Sequence, residues 1–242
     1  MSYGLLLGKK TLSEEDLEKE YGRTWIWTAL DPNSRLLICF LVGDRTMEDC
    51  REFFKHLMTR VENKPLFVSD ELVHYREVIL ESFHHEIQFE KTGKRGRPKN
   101  PVKQIDPDID YATVHKEREK GKVIKAEKRL VYGNETRVNI KLKKSPSNHI
   151  NTSYIERSNG TLRQNDSHLQ RKTLKFAKAK KLLMAKLAII IAHYNLIKPH
   201  FSLSKNKDKS FTARTPAMVA GITGRSWKIK ELLEKPVLYS ND

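Results

Sequence analysis

Residues 151–163 read Asn151-Thr152-Ser153-Tyr154-Ile155-Glu156-Arg157-Ser158-Asn159-Gly160-Thr161-Leu162-Arg163, the start of a basic amphipathic helix that carries one acid. Glu156, Asn159, Gly160 and Arg163 stand at i, i+3, i+4 and i+7, so they share one helical face. A carboxylate beside a small residue and a guanidinium suits a metal ion that touches a phosphodiester, because the acid holds the cation and the arginine holds the phosphate. Glu156 is therefore the first catalytic candidate.

A structural role competes for the same glutamate. Ser153-x-x-Glu156 matches a capping box, in which the glutamate only satisfies backbone N–H groups at the start of a helix. On the helix alone we favour the cap, because such boxes are common. Support for a catalytic role of Glu156 comes from the rest of the sequence.

The 242-residue chain carries a net charge of +16 that is unevenly distributed. Residues 1–90 contain 11 Lys and Arg against 17 Asp and Glu, so the basic excess lies entirely in residues 91–242. A basic surface of this size attracts polyanions, because each phosphate that is neutralised releases condensed counterions. Composition therefore favours double-stranded DNA or another nucleic acid as the partner over an anionic membrane.

Cysteine usage and hydropathy point away from several other classes of protein. Cys39 and Cys50 stand in no C-x-x-C or Cys/His ligand pattern, so neither a disulfide scaffold nor a zinc site is expected. The most apolar segment, residues 182–192, contains Lys186 and is too short to span a bilayer. No secretory signal pattern is present. We expect a cytoplasmic protein without membrane contact.

Residue patterns along the chain predict an α/β fold in the order β-β-β-α-β-α-β, which implies a mixed sheet covered by helices. Asp31-Pro32-Asn33-Ser34 is a hairpin turn signal, and Thr46 is the expected N-cap of the first helix. The predicted strands cover residues 5–7, 24–30, 35–42, 66–68 and 86–89; the predicted helices cover residues 46–61 and 75–83 and, later, 182–194, 215–221 and 226–234.

Two basic segments separate this region from the Glu156 helix. Residues 91–104 contain six basic residues and no acid, interrupted by Gly and Pro, which is typical of a mobile loop. Within it, residues 94–99 (KRGRPK) resemble an AT-hook, in which Arg95, Arg97 and Lys99 would bind a narrow A·T minor groove. A generic basic loop explains the same residues equally well. Residues 111–142 form a second basic block with helical or strand character.

Asp70 directly follows the predicted fourth strand. An Asp in this position is more often a turn or cap residue. A carboxylate at the end of a strand and another on a later helix, such as Glu156, can nevertheless converge on one or two divalent cations. Two-metal phosphoryl transfer requires such hard oxygen ligands.

Several further stretches accompany these two acids in a fixed order: residues 24–31 (TWIWTALD), 43–46 (GDRT), 68–75 (VSDELVHY), 151–159 (NTSYIERSN), 162–163 (LR), 171–173 (RKT), 194–200 (YNLIKPH) and 214–218 (RTPAM). Each is weak by itself. Together they resemble prokaryotic insertion-sequence transposases, whose DDE catalytic core is similar to those of retroviral integrases and ribonuclease H.

The resemblance implies a ribonuclease-H-like mixed β-sheet flanked by helices, with Asp70 as the second acid and Glu156 as the third. Both acids would bind Mg²⁺ or Mn²⁺, with two ions in an intact site. It also implies that Arg163 contacts DNA, and it extends DNA binding to the matched residues Arg157, Asn159, Arg171 and Lys172. The catalytic core would cover residues 1–204, interrupted by a basic insertion at about 91–145, and residues 205–242 would form a short helical extension. Members of such families act as homo-oligomers on the element ends and the target DNA.

The chain departs from this family at its first acid. Residues 1–10 resemble the first strand of the core with its aspartate absent, which leads us to expect an N-terminally truncated transposase with an incomplete triad. Asp31 is the nearest upstream acid, but its Pro-Asn-Ser context favours a turn. His200 in the YNLIKPH stretch has two interpretations, a DNA or active-site contact and a surface or helix-terminal residue, of which the second is favoured.

Three functions remain open at this point. The leading hypothesis is a transposase core that cleaves and joins DNA strands by two-metal phosphoryl transfer, inactive if the first Asp is missing. A non-catalytic DNA-binding remnant or repressor of a mobile element is the alternative from another class. A ribonuclease-H-like nuclease is the third, and the long basic segments disfavour it because they suggest extended DNA contacts.

Overall fold

The computed structural model describes residues 2–4, 24–89, 100–120, 122–170, 175, 177–206 and 210–234. The chain forms two compact units. One unit comprises Arg45–Ser153, and the other combines Ser2–Asp44 with Tyr154–Asp242.

Strands and helices alternate in the first half of the chain, and helices dominate after Ser153. The strands are β1 (Ser2–Gly4), β2 (Trp25–Leu30), β3 (Leu37–Gly43), β4 (Leu66–Ser69), β5 (His84–Ile87), β6 (Val102–Ile105), β7 (Asp110–Glu119) and β8 (Lys122–Tyr132). The helices are α1 (Met47–Met58), α2 (Val73–Ser82), α3 (Glu135–Lys143), α4 (Ser153–Asn165), α5 (Lys180–Leu196), α6 (Phe201–Ser204), α7 (Pro216–Val219) and α8 (Ile229–Glu234). A short 3₁₀ helix, Ser167–Leu169, follows α4.

The unit that combines Ser2–Asp44 with Tyr154–Asp242 contains an antiparallel sheet in the order β1-β2-β3. Asp31 stabilises the turn between β2 and β3, because its carboxylate accepts the N–H groups of Asn33 at 3.0 Å and Ser34 at 2.9 Å. The turn role predicted for Asp31 is confirmed. The Asp31 carboxylate is therefore committed to the hairpin turn.

Helix α5 packs on this sheet and forms the centre of the unit's core. The buried side chains in this core include Leu162 of α4, Ile26, Leu37 and Val42 of the sheet, and Leu183, Leu187, Ile191 and Tyr194 of α5. Asn195 joins the helix to the sheet, since its side chain accepts the N–H of Leu37 at 3.1 Å and donates to the carbonyl of Leu37 at 2.9 Å. The C-terminal segment also packs on α5, because the N–H of Trp227 donates to the carbonyl of Leu196 at 2.9 Å.

One segment, Lys180–Ser204, is long and apolar enough to cross a membrane by its length and composition, with a mean hydropathy of 1.3. In the structure its α5 part buries Leu183 and Leu187 in the core, while Leu182 and Ile189 are exposed. A core helix of a soluble protein passes the same criterion, so the segment is weak evidence for a membrane protein and is compatible with a soluble one.

The unit Arg45–Ser153 begins with α1, whose predicted cap is confirmed: Thr46 Oγ1 accepts the N–H of Asp49 at 3.2 Å. Its main sheet has the order β4-β7-β8, with β4 and β7 parallel and β7 and β8 antiparallel. Strands β5 and β6 form a separate hairpin. The basic block predicted at residues 111–142 therefore supplies most of this sheet and helix α3.

The predicted α/β class is confirmed, but the described strands form three sheets where the sequence predicted one mixed sheet. Strand β4 does not continue the β1-β2-β3 sheet; it pairs with β7, whose Tyr111, Ala112 and Val114 are buried. These buried apolar residues suit the central position of β7 in its sheet, although the neighbouring sequence is basic. The strand predicted at residues 5–7 and most of the loop predicted at residues 91–104 lie outside the described residues, although β6 occupies the end of that loop.

Asp110 anchors α3 to the start of β7. Its carboxylate is 0% exposed and is bound by Arg137 Nε at 2.8 Å and Lys141 Nζ at 2.8 Å. Burial alone would raise the pKa of this carboxyl, but hydrogen bonds from Arg137 and Lys141 outweigh burial and lower it. Gly133 lies beside the Asp110 carboxylate and has a φ of +106°. A Cβ at this position would collide with Asp110 Oδ1.

Candidate functional site

Helix α4 places Glu156 in its first turn. Asn151 Oδ1 accepts hydrogen bonds from the N–H of Ser153 at 3.0 Å and from its hydroxyl at 2.6 Å. The capping-box alternative requires Ser153 at the N-cap, whereas the structure makes Ser153 the first helical residue and turns its hydroxyl toward Asn151. The start of α4 is therefore organised around Asn151, and the cap interpretation loses its main support.

The buried side of α4 contains Ser158, Asn159 and Leu162. Asn159 is 3% exposed, and its Oδ1 accepts a hydrogen bond from Thr28 Oγ1 of β2 at 3.2 Å. This burial gives Asn159 a packing contact with the sheet, and its predicted contact with DNA stays a prediction. The helical spacing was correct, but the apolar contacts of Leu162 rotate α4 so that Asn159 faces inward.

The other predicted residues of α4 lie toward solvent. Arg157 is exposed, while Glu156, Gly160 and Arg163 are half-buried. A Cβ placed on Gly160 would meet nothing within 4 Å. Glycine costs a helix interior roughly 0.5–1 kcal/mol relative to alanine. Neither packing nor backbone geometry requires the glycine, so α4 keeps an open space beside its acid and its arginines at the expense of stability.

The half-buried imidazole of His200 lies in the same unit as Arg35, Arg157 and Lys198, whose charges act on it. Arg35 belongs to the β2–β3 turn, Arg157 to α4, and Lys198 follows α5. Burial, then Arg35, Arg157 and Lys198, lower the pKa of His200 below its ordinary value. Within the described part of the chain, none of the three cations forms an ion pair with a carboxylate.

Aromatic side chains contact Arg35 and His200. The guanidinium of Arg35 lies 3.7 Å from the centre of the Tyr154 ring, and the hydroxyl of Tyr194 donates to the carbonyl of Arg35 at 3.1 Å. His200 packs edge-on against Tyr194, with 6.1 Å between the ring centres. The imidazole is therefore half-buried against an aromatic ring, and both interpretations of His200 stay predictions.

In the unit Arg45–Ser153, Asp70 directly follows β4 as predicted. Asp70 Oδ1 accepts a long hydrogen bond from the N–H of Leu72 at 3.4 Å. Across the described residues, the carboxylate forms no ion pair with a basic side chain. The neighbouring Tyr111 hydroxyl lies 2.8 Å from Ser69 Oγ, and burial, reinforced by the Asp70 charge, raises the pKa of Tyr111 to about 12.

Glu71, the next residue, has a different environment. Its carboxylate lies 2.5 Å from His115 Nδ1 of β7 and 3.4 Å from Arg129 of β8. Glu71 therefore ties the end of β4 to the sheet, whereas Asp70 accepts a hydrogen bond from the neighbouring backbone. No pattern in the sequence distinguished these two acids, because the partners of Glu71 lie 44 and 58 positions further along the chain.

Asp70 and Glu156 carry carboxylate oxygens, which are ligands that Mg²⁺ and Mn²⁺ prefer. The two acids belong to different compact units. Among the described residues, no group of three His, Cys, Asp or Glu side chains is placed to hold a metal ion. The predicted convergence of Asp70 and Glu156 on one site stays a prediction.

Five predicted DNA contacts cannot be placed. Arg95, Arg97, Lys99, Arg171 and Lys172 lie outside the described residues.

In comparisons with known proteins, no family model, no curated protein and no solved structure matches the chain.

Proposed function

We propose that the chain is a DNA-binding protein of the insertion-sequence transposase type whose catalytic acids are incomplete. The observation that carries this proposal is the solvent side of α4, where Arg157, Arg163 and Glu156 surround the open space over Gly160. A basic helix face without protruding side chains at its centre allows the phosphate backbone of a duplex to approach closely. The basic excess of residues 91–242 supplies the long-range attraction.

The chain's own residues have separate tasks in this proposal. Arg157 and Arg163 bind backbone phosphates, and the fixed position of α4 on the core orients them. Asp70 and Glu156 are the residues that would hold a divalent cation. Such an ion activates water and stabilises the leaving oxygen in phosphoryl transfer. The ribonuclease-H-like arrangement that would bring the two acids together is part of the proposal.

A non-catalytic DNA-binding remnant or repressor is the second candidate. It is favoured by one sequence feature, that residues 1–10 resemble the first strand of such a core but carry no acid. Both candidates bind DNA, and they differ in whether strand cleavage follows. Either protein would act in the prokaryotic cytoplasm at the nucleoid and would assemble as a homo-oligomer on duplex DNA.

The DNA-binding proposal is tested by titrating the full chain with a labelled duplex at several salt concentrations. We expect the logarithm of the association constant to fall linearly with the logarithm of the salt concentration, because Lys and Arg displace condensed counterions. Absence of binding at low salt, or an affinity that salt does not change, would refute the proposal.

Gly160→Ala tests whether α4 is the face that DNA approaches. We expect the substitution to raise the free energy of unfolding by roughly 0.5–1 kcal/mol and to weaken DNA binding, because the methyl group occupies the space next to the duplex. Gly224→Ala is the matched control, since a Cβ on Gly224 also meets nothing within 4 Å. It should leave DNA affinity unchanged. A stabilised Gly160→Ala protein with full affinity would place the DNA elsewhere.

A further inference from the structure

Strands β7 and β8 extend well beyond β4, the third strand of their sheet. β4 pairs with only the first four residues of β7, whereas the pairing of β7 with β8 continues to Glu119 and Lys122. Residues 114–120 and 122–128 therefore form a two-stranded ribbon about 20 Å long, at about 3.4 Å per residue. Because β4 and β7 are parallel, the ribbon projects from the end of β4 that Asp70 follows.

The two faces of the ribbon differ in charge. Successive residues of a strand alternate between the faces, and residues that pair across antiparallel strands share a face. All acids of the ribbon belong to one face, where the cross-strand pairs are His115–Glu127, Glu117–Lys125 and Glu119–Lys122. The other face contains the pairs Val114–Lys128 and Lys116–Ala126, and its described positions carry lysine but no acid.

The acidic face is neutralised within the protein. Glu127 lies 2.5 Å from Lys125 and 2.7 Å from Arg129, and hydrogen bonds from these two residues lower the pKa of Glu127 to about 2. Glu71 lies 3.4 Å from the same arginine. On the other face, Lys128 is exposed and forms no ion pair with a described carboxylate. This cationic face suits a polyanionic partner.

The far end of the ribbon carries two exposed apolar side chains. Val123 is 46% exposed and Ile124 is 61% exposed, beside a register shift between the two strands. Lysines on an exposed edge strand discourage pairing with other chains, but that role does not explain apolar residues at the tip. A partner that covers the tip would remove this apolar surface from water, which is favourable.

The major groove of B-DNA meets both requirements. It is about 12 Å wide and admits a two-stranded β-ribbon, and apolar side chains contact the methyl group of thymine there. The phosphates along its edges attract lysine. Duplex DNA therefore offers charge to the cationic face and an apolar contact to the tip.

We propose that the ribbon inserts into the major groove of duplex DNA, with Lys116 and Lys128 toward the phosphates and Val123 and Ile124 toward the base edges. The inference rests on the proposed DNA-binding function and deepens it, because it adds a DNA contact in the unit Arg45–Ser153. The lysines position the ribbon, and the apolar tip contacts the bases.

Lys128→Ala removes a cation from the cationic face, and Lys122→Ala is its matched control on the acidic face. Both lysines are exposed on β8, so the two variants have the same net charge. We expect Lys128→Ala to weaken duplex binding several-fold and to lower the salt slope by about one, whereas Lys122→Ala has little effect. Circular dichroism checks that both variants are folded. Equal duplex affinities of the two variants would overturn the role of the cationic face.

Ile124→Cys reports whether DNA covers the tip. Cys39 and Cys50 are buried, so a maleimide should label the introduced thiol much faster than the native ones. Ile140→Cys is the matched control, because Ile140 is 54% exposed on α3, which is joined to the opposite end of β7. We expect a saturating duplex to slow the labelling of Ile124→Cys several-fold and to leave the labelling of Ile140→Cys unchanged.

Duplex RNA of the corresponding sequence distinguishes groove insertion from a general attraction to polyanions. Side chains cannot read the deep, narrow major groove of A-form RNA, so saturating RNA should slow the labelling of Ile124→Cys less than DNA does. Equal protection by the two duplexes would overturn insertion into the major groove. Normal DNA binding with unchanged labelling of Ile124→Cys would overturn the ribbon contact and leave the proposed DNA-binding function intact. No DNA binding by the native chain would overturn both.

Discussion

Asp110→Ala is expected to lower the free energy of unfolding by about 3–5 kcal/mol, the range found when one partner of a buried ion pair is removed. The carboxylate is fully buried, and Arg137 and Lys141 of α3 would lose their shared acceptor. The substitution also removes the group that joins α3 to the first residue of β7. Unfolding by denaturant, monitored by circular dichroism, measures the difference.

Asp108→Ala is the matched control for this substitution. Asp108 pairs with Lys64 at 2.8 Å, but both side chains are largely in solvent, so the loss of this pair should have a much smaller effect. Equal destabilisation by the two substitutions would show that the buried ion pairs of Asp110 with Arg137 and Lys141 contribute no more to the stability of this unit than an exposed pair does.

Acidification supplies an independent check on Asp110. Its folded pKa lies below the ordinary carboxyl value of 3.8, so the unfolded chain binds the proton more readily. The stabilisation is therefore complete well above pH 3.8 and is lost as the pH falls below that value. The difference in the free energy of unfolding between the native chain and Asp110→Asn should therefore become smaller as the pH falls below 3.8.

Cleavage of DNA by this chain is expected to be slower by a factor on the order of a thousand or more than that of an enzyme with three acids. Loss of one carboxylate that holds the metal ions removes several kcal/mol of transition-state stabilisation. The proposal leaves only Asp70 and Glu156 as catalytic acids. Nicking of supercoiled plasmid with Mg²⁺ or Mn²⁺ measures the rate.

Asp70→Asn and Glu156→Gln are the companion variants for the cleavage assay. Both should remove residual metal-dependent nicking and leave duplex affinity nearly unchanged, because neither acid attracts phosphate. Rapid cleavage by the native chain that either substitution abolishes would mean that another residue supplies the first acid. In that case the proposal that the set of catalytic acids is incomplete would be wrong, and the proposal of transposase activity would be supported.

Local features of the fold could be predicted from the sequence because their causes lie within a few residues. The Asp31 turn and the Thr46 cap depend on hydrogen bonds over two or three positions. The short helix after Thr215 follows from a cap and from Pro216 at its start. Such local contacts form independently of which distant segments pack nearby. The sequence patterns that predict them are therefore reliable.

Long-range pairings could not be predicted in this way. The parallel pairing of β4 with β7 joins residues about 44 positions apart, and the Asp110 pair with Arg137 spans 27 positions. The inward rotation of Asn159 depends on Thr28, which is 131 positions away. For the candidate site, the sequence predicted that Asp70 follows a strand and that Glu156 lies at the start of a helix, but it did not reveal the packing of His200 against Tyr194.

We propose that Asp70 and Glu156 serve one metal site, and a double-mutant cycle in Mn²⁺ affinity tests this proposal most directly. Electron paramagnetic resonance of Mn²⁺ bound to the full chain without DNA would compare the native protein, Asp70→Asn, Glu156→Gln and the double variant. Ligands of one ion are coupled, so we predict that each single substitution weakens binding about as much as both together. Independent, additive losses, or no loss from either substitution, would contradict the shared site.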